Sequence, residues 1–206
     1  MKSIWRQLIL PHIDYCSQLY QPTGGGELQK LEELQRHFSS RVFGPKLDYW
    51  ERLKFLNISS IQRRFERYRI IYVWKVFEGI VPNCGINETY INRLGCKCNI
   101  PSLNRSAPAR IRTIRESSFQ IHGGRLFNSL PQYLRDKTSR SVEEFKESLD
   151  AFLSKIPDQP NVQGTEYTPR ACDIFSGRPS NSLTDQIRTF TEQNNQLIAC
   201  RRKHGL

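Results

Sequence analysis

Between residues 27 and 43 the apolar positions Leu28, Leu31, Leu34, Phe38 and Val42 recur three or four apart, the spacing that paints one face of a helix. Glu27, Glu32 and Glu33 fall in its first half and Arg36 and Arg41 in its second, as the helix dipole favours, and Gly44-Pro45 supplies the stop. Asp48 followed by Glu51 reads as a capping box for a short helix through Leu53 and Leu56. Ser59 or Ser60 then opens a long helix, SIQRRFERYRIIYVWKVFEGIVP, which Gly79 and Pro82 end. Ile61, Phe65, Tyr68, Tyr72 and Val76 form its stripe, and Ile71, Trp74 and Phe77 widen it, so burial on more than one side is expected.

Residues 83–115 lose this periodicity and are rich in Asn, Pro, Arg and Ser; within them ARIRTIR reads as a short strand of imperfect alternation. The following RESSFQIHGGRLFNSLP returns to helical spacing at Phe119, Leu126, Phe127 and Leu130, with Gly123 on the same face and Pro131 as the stop. Two adjacent glycines cost a helix roughly 2 kcal/mol against alanines, which predicts close packing of another backbone at Gly123. Ser141 and Glu144 form a second capping box, for a helix burying Val142, Phe145, Leu149, Phe152 and Leu153. From PDQPN onward Pro, Gly, Asn, Ser and Thr dominate, the composition of an uncompacted linker, and a weak helix returns at SLTDQIRTFTEQN.

Charge sharpens the picture. The chain has 206 residues and a formal net charge of +11, with +7 concentrated in residues 80–140 and −1 in residues 141–206. A field of that sign attracts phosphate backbones or anionic surfaces. On the long helix Arg63, Arg64 and Arg67 are surface neighbours, and Arg110, Arg112 and Arg115 follow within the basic region. No apolar run approaches a membrane span, and Pro11, His12 and Asp14 interrupt the opening segment, so neither a signal peptide nor an anchor is expected. The six cysteines are too uneven for a disulfide framework, which points to reduced thiols in the nucleus or cytoplasm.

Other chemistry finds little support. Cys96 and Cys98, with Cys84 and His122, lack the paired C-x-x-C spacing of structural zinc modules. The histidines have no neighbouring nucleophile and orienting group, and Gly24-Gly25-Gly26 lacks the strand and Lys-Ser/Thr of a phosphate loop. No metal or other cofactor is expected.

Five segments, LPHIDYCSQLYQP, LQKLEELQRHFSSRVFG, ERLKFLNISSIQRRFERYRIIYVWKVFEG, RLFNSLP and FKESLDAFLSKIPDQP, stand in the order and spacing of the region after the polymerase palm in jockey-like non-LTR (LINE-type) retrotransposon reverse transcriptases. The chain resembles that family from about residue 8 to about residue 160, with Tyr20 and Phe127 where the family usually has Trp. The resemblance implies a mainly α fold: a thumb-like helical bundle over residues 1–82, a basic, loop-rich connector and small helical unit over 83–156, and a poorly ordered tail over 157–206. It also implies gripping of template and primer, a duplex or RNA/DNA hybrid held without sequence preference, with Arg63, Arg64, Arg67, Arg110, Arg112 and Arg115 on the phosphates. The missing palm would be a second partner. Polymerisation in the family needs two metals on palm carboxylates including an Asp-Asp pair, and the seven aspartates here are scattered with no such dipeptide. The expected chain is therefore non-catalytic, with a basic RNA- or protein-binding adaptor and a decayed element remnant as the alternative readings.

Overall fold

The computed structural model describes residues 2–15, 17, 25–44, 46–83, 86–88, 98–100, 106, 108–136, 141–158 and 183–204. They are mainly helical, as the periodicity predicts. The first segment runs as α1 (Lys2–Ile4), a π-helical turn (Trp5–Ile9) and α2 (Leu10–Asp14). Next come α3 (Gly25–Phe43), α4 (Tyr49–Leu56) and α5 (Ile61–Phe77). Two-residue strands β1 (Asn87–Glu88) and β2 (Cys98–Asn99) pair antiparallel, Asn87 opposite Asn99 and Glu88 opposite Cys98. They precede α6 (Ala109–Ser117), α7 (Phe119–Ser129), α8 (Gln132–Arg135), α9 (Val142–Leu153) and α10 (Leu183–His204). Among the described residues no helix is long and apolar enough to cross a membrane.

The helix ends form where local chemistry places them. Both capping boxes are present: the Asp48 side chain accepts from Trp50 N–H while Glu51 accepts from the Asp48 N–H, and Ser141 Oγ accepts from the Glu144 N–H while Glu144 accepts from the Ser141 N–H. Ser60 caps α5 by accepting from Arg63 N–H at 3.1 Å. Gly44 and Gly79, at φ 77 and 69, follow the last turns of α3 and α5 in the left-handed region that only glycine enters without cost.

Two cores share one helix. Trp5, Leu10, Leu28, Ile61 and Phe65 form the first, with Trp5 stacked on Phe38 at 4.4 Å between ring centroids. The second gathers Ile70, Val73 and Trp74 of α5 with α7, α9 and α10, where Trp74 stacks on Phe145 at 4.5 Å. The division between cores therefore falls inside α5, at about Arg69, and residues 70–77 pack with the later part of the chain. This shifts the buried face of α5: Ile70, Val73 and Trp74 are fully buried while Tyr68, Tyr72 and Val76 are only partly so.

Two expectations change and a third is extended. ARIRTIR is not a strand but the body of α6; among the described residues the only ladder is the two-residue β1–β2 pair, and a helix satisfies its own backbone donors and acceptors without a partner strand. The helix expected at SLTDQIRTFTEQN is present as α10, and it is anchored, since Leu183 and Ile187 are fully buried in the second core and Phe190 meets Phe152 edge to face at 6.2 Å. At Gly123 the close neighbour is a side chain: an added Cβ would lie 3.2 Å from Val73 Cγ2. Residues 159–182 lie outside the described residues, as do Cys84, Cys96 and Pro45.

The FNSLP segment is a clamp. Asn128 accepts from Cys98 N–H at 3.1 Å and donates to the Cys98 carbonyl at 3.0 Å, fixing β2 against α7. An added Cβ at Gly124 would meet Cys98 Cβ at 3.4 Å, ordinary contact. Gly124→Ala is expected to be neutral or to stabilise by up to about 1 kcal/mol through helix propensity, whereas Gly123→Leu is expected to destabilise by roughly 1–3 kcal/mol through overpacking against Val73. Urea melts of the two variants check this, and equal effects would remove the packing argument.

Candidate nucleic-acid interface

The three arginines of α5 do different things. Arg63 is 5% exposed and spends its donors within the fold. Its Nη1 donates to the carbonyls of Leu153 and Ile156, and its Nη2 to the Pro157 carbonyl at 2.9 Å and Gln186 Oε1 at 2.6 Å. Its Nε lies 3.6 Å from Asp158. The guanidinium thus satisfies carbonyls that the end of α9 leaves without intrahelical donors, where a cation also complements the helix dipole. Asp158 accepts from Ser60 N–H at 2.6 Å and Ser60 Oγ at 2.7 Å, tying the chain after α9 to the start of α5.

Arg64 donates through Nε and Nη2 to both oxygens of Asp14, each at 2.5 Å, and Tyr68 Oη donates to Asp14 Oδ2 at 3.0 Å. Arg67 grips Asp150 of α9 through Nε at 2.5 Å and Nη2 at 2.7 Å. Both guanidiniums also lie over the Tyr68 ring, 5.5 Å from its centroid. The cationic face read from the sequence is therefore a set of ties from α5 to α2, α9 and α10. Arginine at three- and four-residue spacing signals neighbours on one helix; it does not reveal the carboxylates that tertiary packing brings to them.

Further buried charges carry no local signature. Glu32 accepts from Ile61 N–H at 2.9 Å and from Tyr49 Oη, and Gln35 donates to Tyr49 Oη and the Ser59 carbonyl, each at 3.1 Å. Burial pushes the Glu32 carboxyl up to about 7, against the pull of these donors, and the same burial with Glu32's charge raises the Tyr49 phenol. Glu66, also raised by burial to about 7, accepts from Leu183 N–H at the start of α10 and faces Arg63 and Gln62. Arg69 is pushed down to about 10 by burial and donates to His122 Nδ1. Burial and the charges of Arg69 and Arg125 press His122 to about 4, so it is the neutral ring that accepts this bond.

Beside the α5 arginines runs a cleft of about 880 Å³ between α4, α5 and α9. Arg63, Arg64 and Arg67 line it, together with Arg6 and Lys54.

The second basic set stands apart. Arg110 and Arg115 of α6 are exposed and have no ion pair among the described residues; the side chain of Arg112 lies outside them. Ile111 and Ile114, 45% and 58% exposed, occupy the same strip of helix between Arg110 and Arg115. α6 has no acidic residue in its first turn. Of the six arginines picked from the sequence, the structure leaves Arg110 and Arg115 open to solvent and commits Arg63, Arg64 and Arg67 to internal contacts.

Comparison of the chain with protein-family models, with curated proteins and with solved structures finds no match.

Two outcomes follow from the buried groups. Arg63→Gln is expected to destabilise by about 3 kcal/mol or more, because it abandons buried acceptors, while Arg67→Gln, whose partner Asp150 is 49% exposed, is expected to cost under about 1 kcal/mol. Both are read from urea melts. Glu32 and Glu66, raised when folded, contribute stability that is present below about pH 4.5 and disappears as pH rises through about 7. His122, depressed when folded to about 4, acts oppositely, its contribution being lost as pH falls from its ordinary value near 6.5. Above pH 6.5 only the glutamates remain, so stability is expected to fall by on the order of 1 kcal/mol between pH 6.5 and 8, and Glu66→Gln to flatten that decline. Urea midpoints that rise with pH over this interval would contradict it.

Proposed function

We propose that the chain is the non-catalytic helical region that follows the palm in a non-LTR reverse transcriptase, and that it holds nucleic acid by its phosphates through α6. The observation that carries the reading is the exposure of Arg110 and Arg115 on a helix without an acidic first turn, inside the part of the chain that holds most of its positive charge. An unpaired guanidinium is free to exchange its counterions for a phosphate, whereas Arg64 and Arg67 would first have to leave Asp14 and Asp150. Phosphate contacts of this kind position a duplex without reading its sequence. The helical order, with a capped long helix followed by the FNSLP clamp and a capped shorter helix, supports the likeness from which the reading began.

Exposed Ile111 and Ile114 favour one other reading, a basic adaptor that docks a protein through the same helix.

Binding to duplex and hybrid oligonucleotides across a salt series separates the two. The parent is expected to bind both with little sequence preference and with affinity that falls steeply with salt. Arg110→Gln with Arg115→Gln is expected to reduce the log-log salt slope on B-form DNA by roughly 0.9 for each true contact, while Arg67→Gln leaves it unchanged. Failure of the parent to bind at low salt would end the nucleic-acid reading and favour the adaptor.

A further inference from the structure

The cleft beside α5 holds positive charge that the fold does not use. Of the carboxylates lining it, Asp150 is taken by Arg67, and Asp158 by Ser60 and Arg63. That leaves Arg6 and Lys54. Arg6 gives one N–H to the Asn57 carbonyl at 2.8 Å, which ties it to the end of α4, and Lys54, in the last turn of α4, lines the same cleft. Lys54 is exposed and has no ion pair among the described residues. The neighbouring wall is apolar: Leu10, Leu53, Leu153 and Ile156 all line the cleft. Trp50, which lines it too, carries a buried indole N–H without an acceptor among the described residues. Two cations without an ion pair among the described residues and an apolar wall in a space of about 880 Å³ have the makings of a small-molecule site.

We infer that this cleft binds a phosphate group carried on a planar or apolar body, with the phosphate against Arg6 and Lys54 and the body along Leu10, Leu53, Leu153 and Ile156. The residues differ from those of α6, so the site stands or falls separately from phosphate gripping by Arg110 and Arg115. The cleft's cations, Arg6, Lys54, Arg63, Arg64 and Arg67, outnumber its two carboxylates, and a net positive field beside low-dielectric walls favours a compact dianion over a neutral ligand. A bare phosphate would leave the apolar wall uncovered, and a neutral body would leave both cations unmatched. A nucleotide and a phosphorylated alkyl chain meet the same chemistry.

Calorimetric titration of the full chain with adenosine monophosphate, n-octyl phosphate, inorganic phosphate and adenosine tests the site. At least one of the first two is expected to bind more tightly than phosphate and adenosine, and which one does so tells a planar body from an alkyl one. Arg6→Gln and Lys54→Gln are each expected to weaken that binding roughly tenfold, the loss of one charge-assisted bond. Lys54 is exposed, so its substitution keeps the test intact should Arg6→Gln disturb the end of α4. Arg110→Gln with Arg115→Gln is expected to leave the titration unchanged. Phosphate binding as tightly as both larger ligands, no binding by either at millimolar concentration, or full affinity in the Lys54 variant would each overturn the assignment.

Discussion

Arg63 sits where three helices converge, and the arrangement of the molecule follows from the need to satisfy it. A guanidinium 5% exposed has lost most of its hydration and must recover it from protein acceptors. Here these are the carbonyls at the end of α9, the Gln186 amide of α10 and the carboxylate of Asp158. All but one of these acceptors lie in the stretch 153–158 and the other is in α10, so the cation ties the end of α9 to the start of α10. The same junction orients the first turn of α5, because Ser60 caps Arg63 N–H while giving its own N–H and hydroxyl to Asp158.

Around this junction the energetics are divided by face. The two cores supply apolar burial on either half of α5, and their stacked pairs, Trp5 on Phe38 and Trp74 on Phe145, fill each with large side chains. Between them lie charges that neither core neutralises by itself. Glu32 sits at the amino end of α5, Glu66 at the amino end of α10, and Arg69 against a neutral His122. Carboxylates belong at amino ends of helices, where unsatisfied N–H groups converge, but burial opposes their ionisation. These groups therefore make the docking of α10 and the start of α5 sensitive to protonation in a way that purely apolar contacts would not be.

The cation excess is likewise divided. Arg64 and Arg67 reach across to Asp14 and Asp150 and are largely matched, and Tyr68 lies beneath both. Arg6 and Lys54 at the cleft, and Arg110 and Arg115 on α6, are exposed and have no ion pair among the described residues. Matched charges orient helices; unmatched ones provide field for a ligand. The proposed phosphate contacts rest on the second class.

Local patterns in the chain determined most of the helices and where they begin. Ser60, Asp48 with Glu51, and Ser141 with Glu144 act on backbone groups two or three residues away, so their effect is visible from neighbours alone. Period was enough to place Phe145, Leu149, Phe152 and Leu153 on one buried face of α9. It failed for α6, where weak alternation of Ile and Arg suits either a strand or a helix and the lack of a strand partner among the described residues favours the helix. It also understated α10, whose Leu183 and Ile187 matter because α5, α7 and α9 make a pocket for them. Which arginines are free could only be decided in three dimensions. Arg67 and Asp150 lie 83 residues apart in the chain, as Arg64 and Asp14 lie 50 apart, and composition records such charges without their distances. An ion pair depends on separation in space, and that separation is set by how the cores pack the helices.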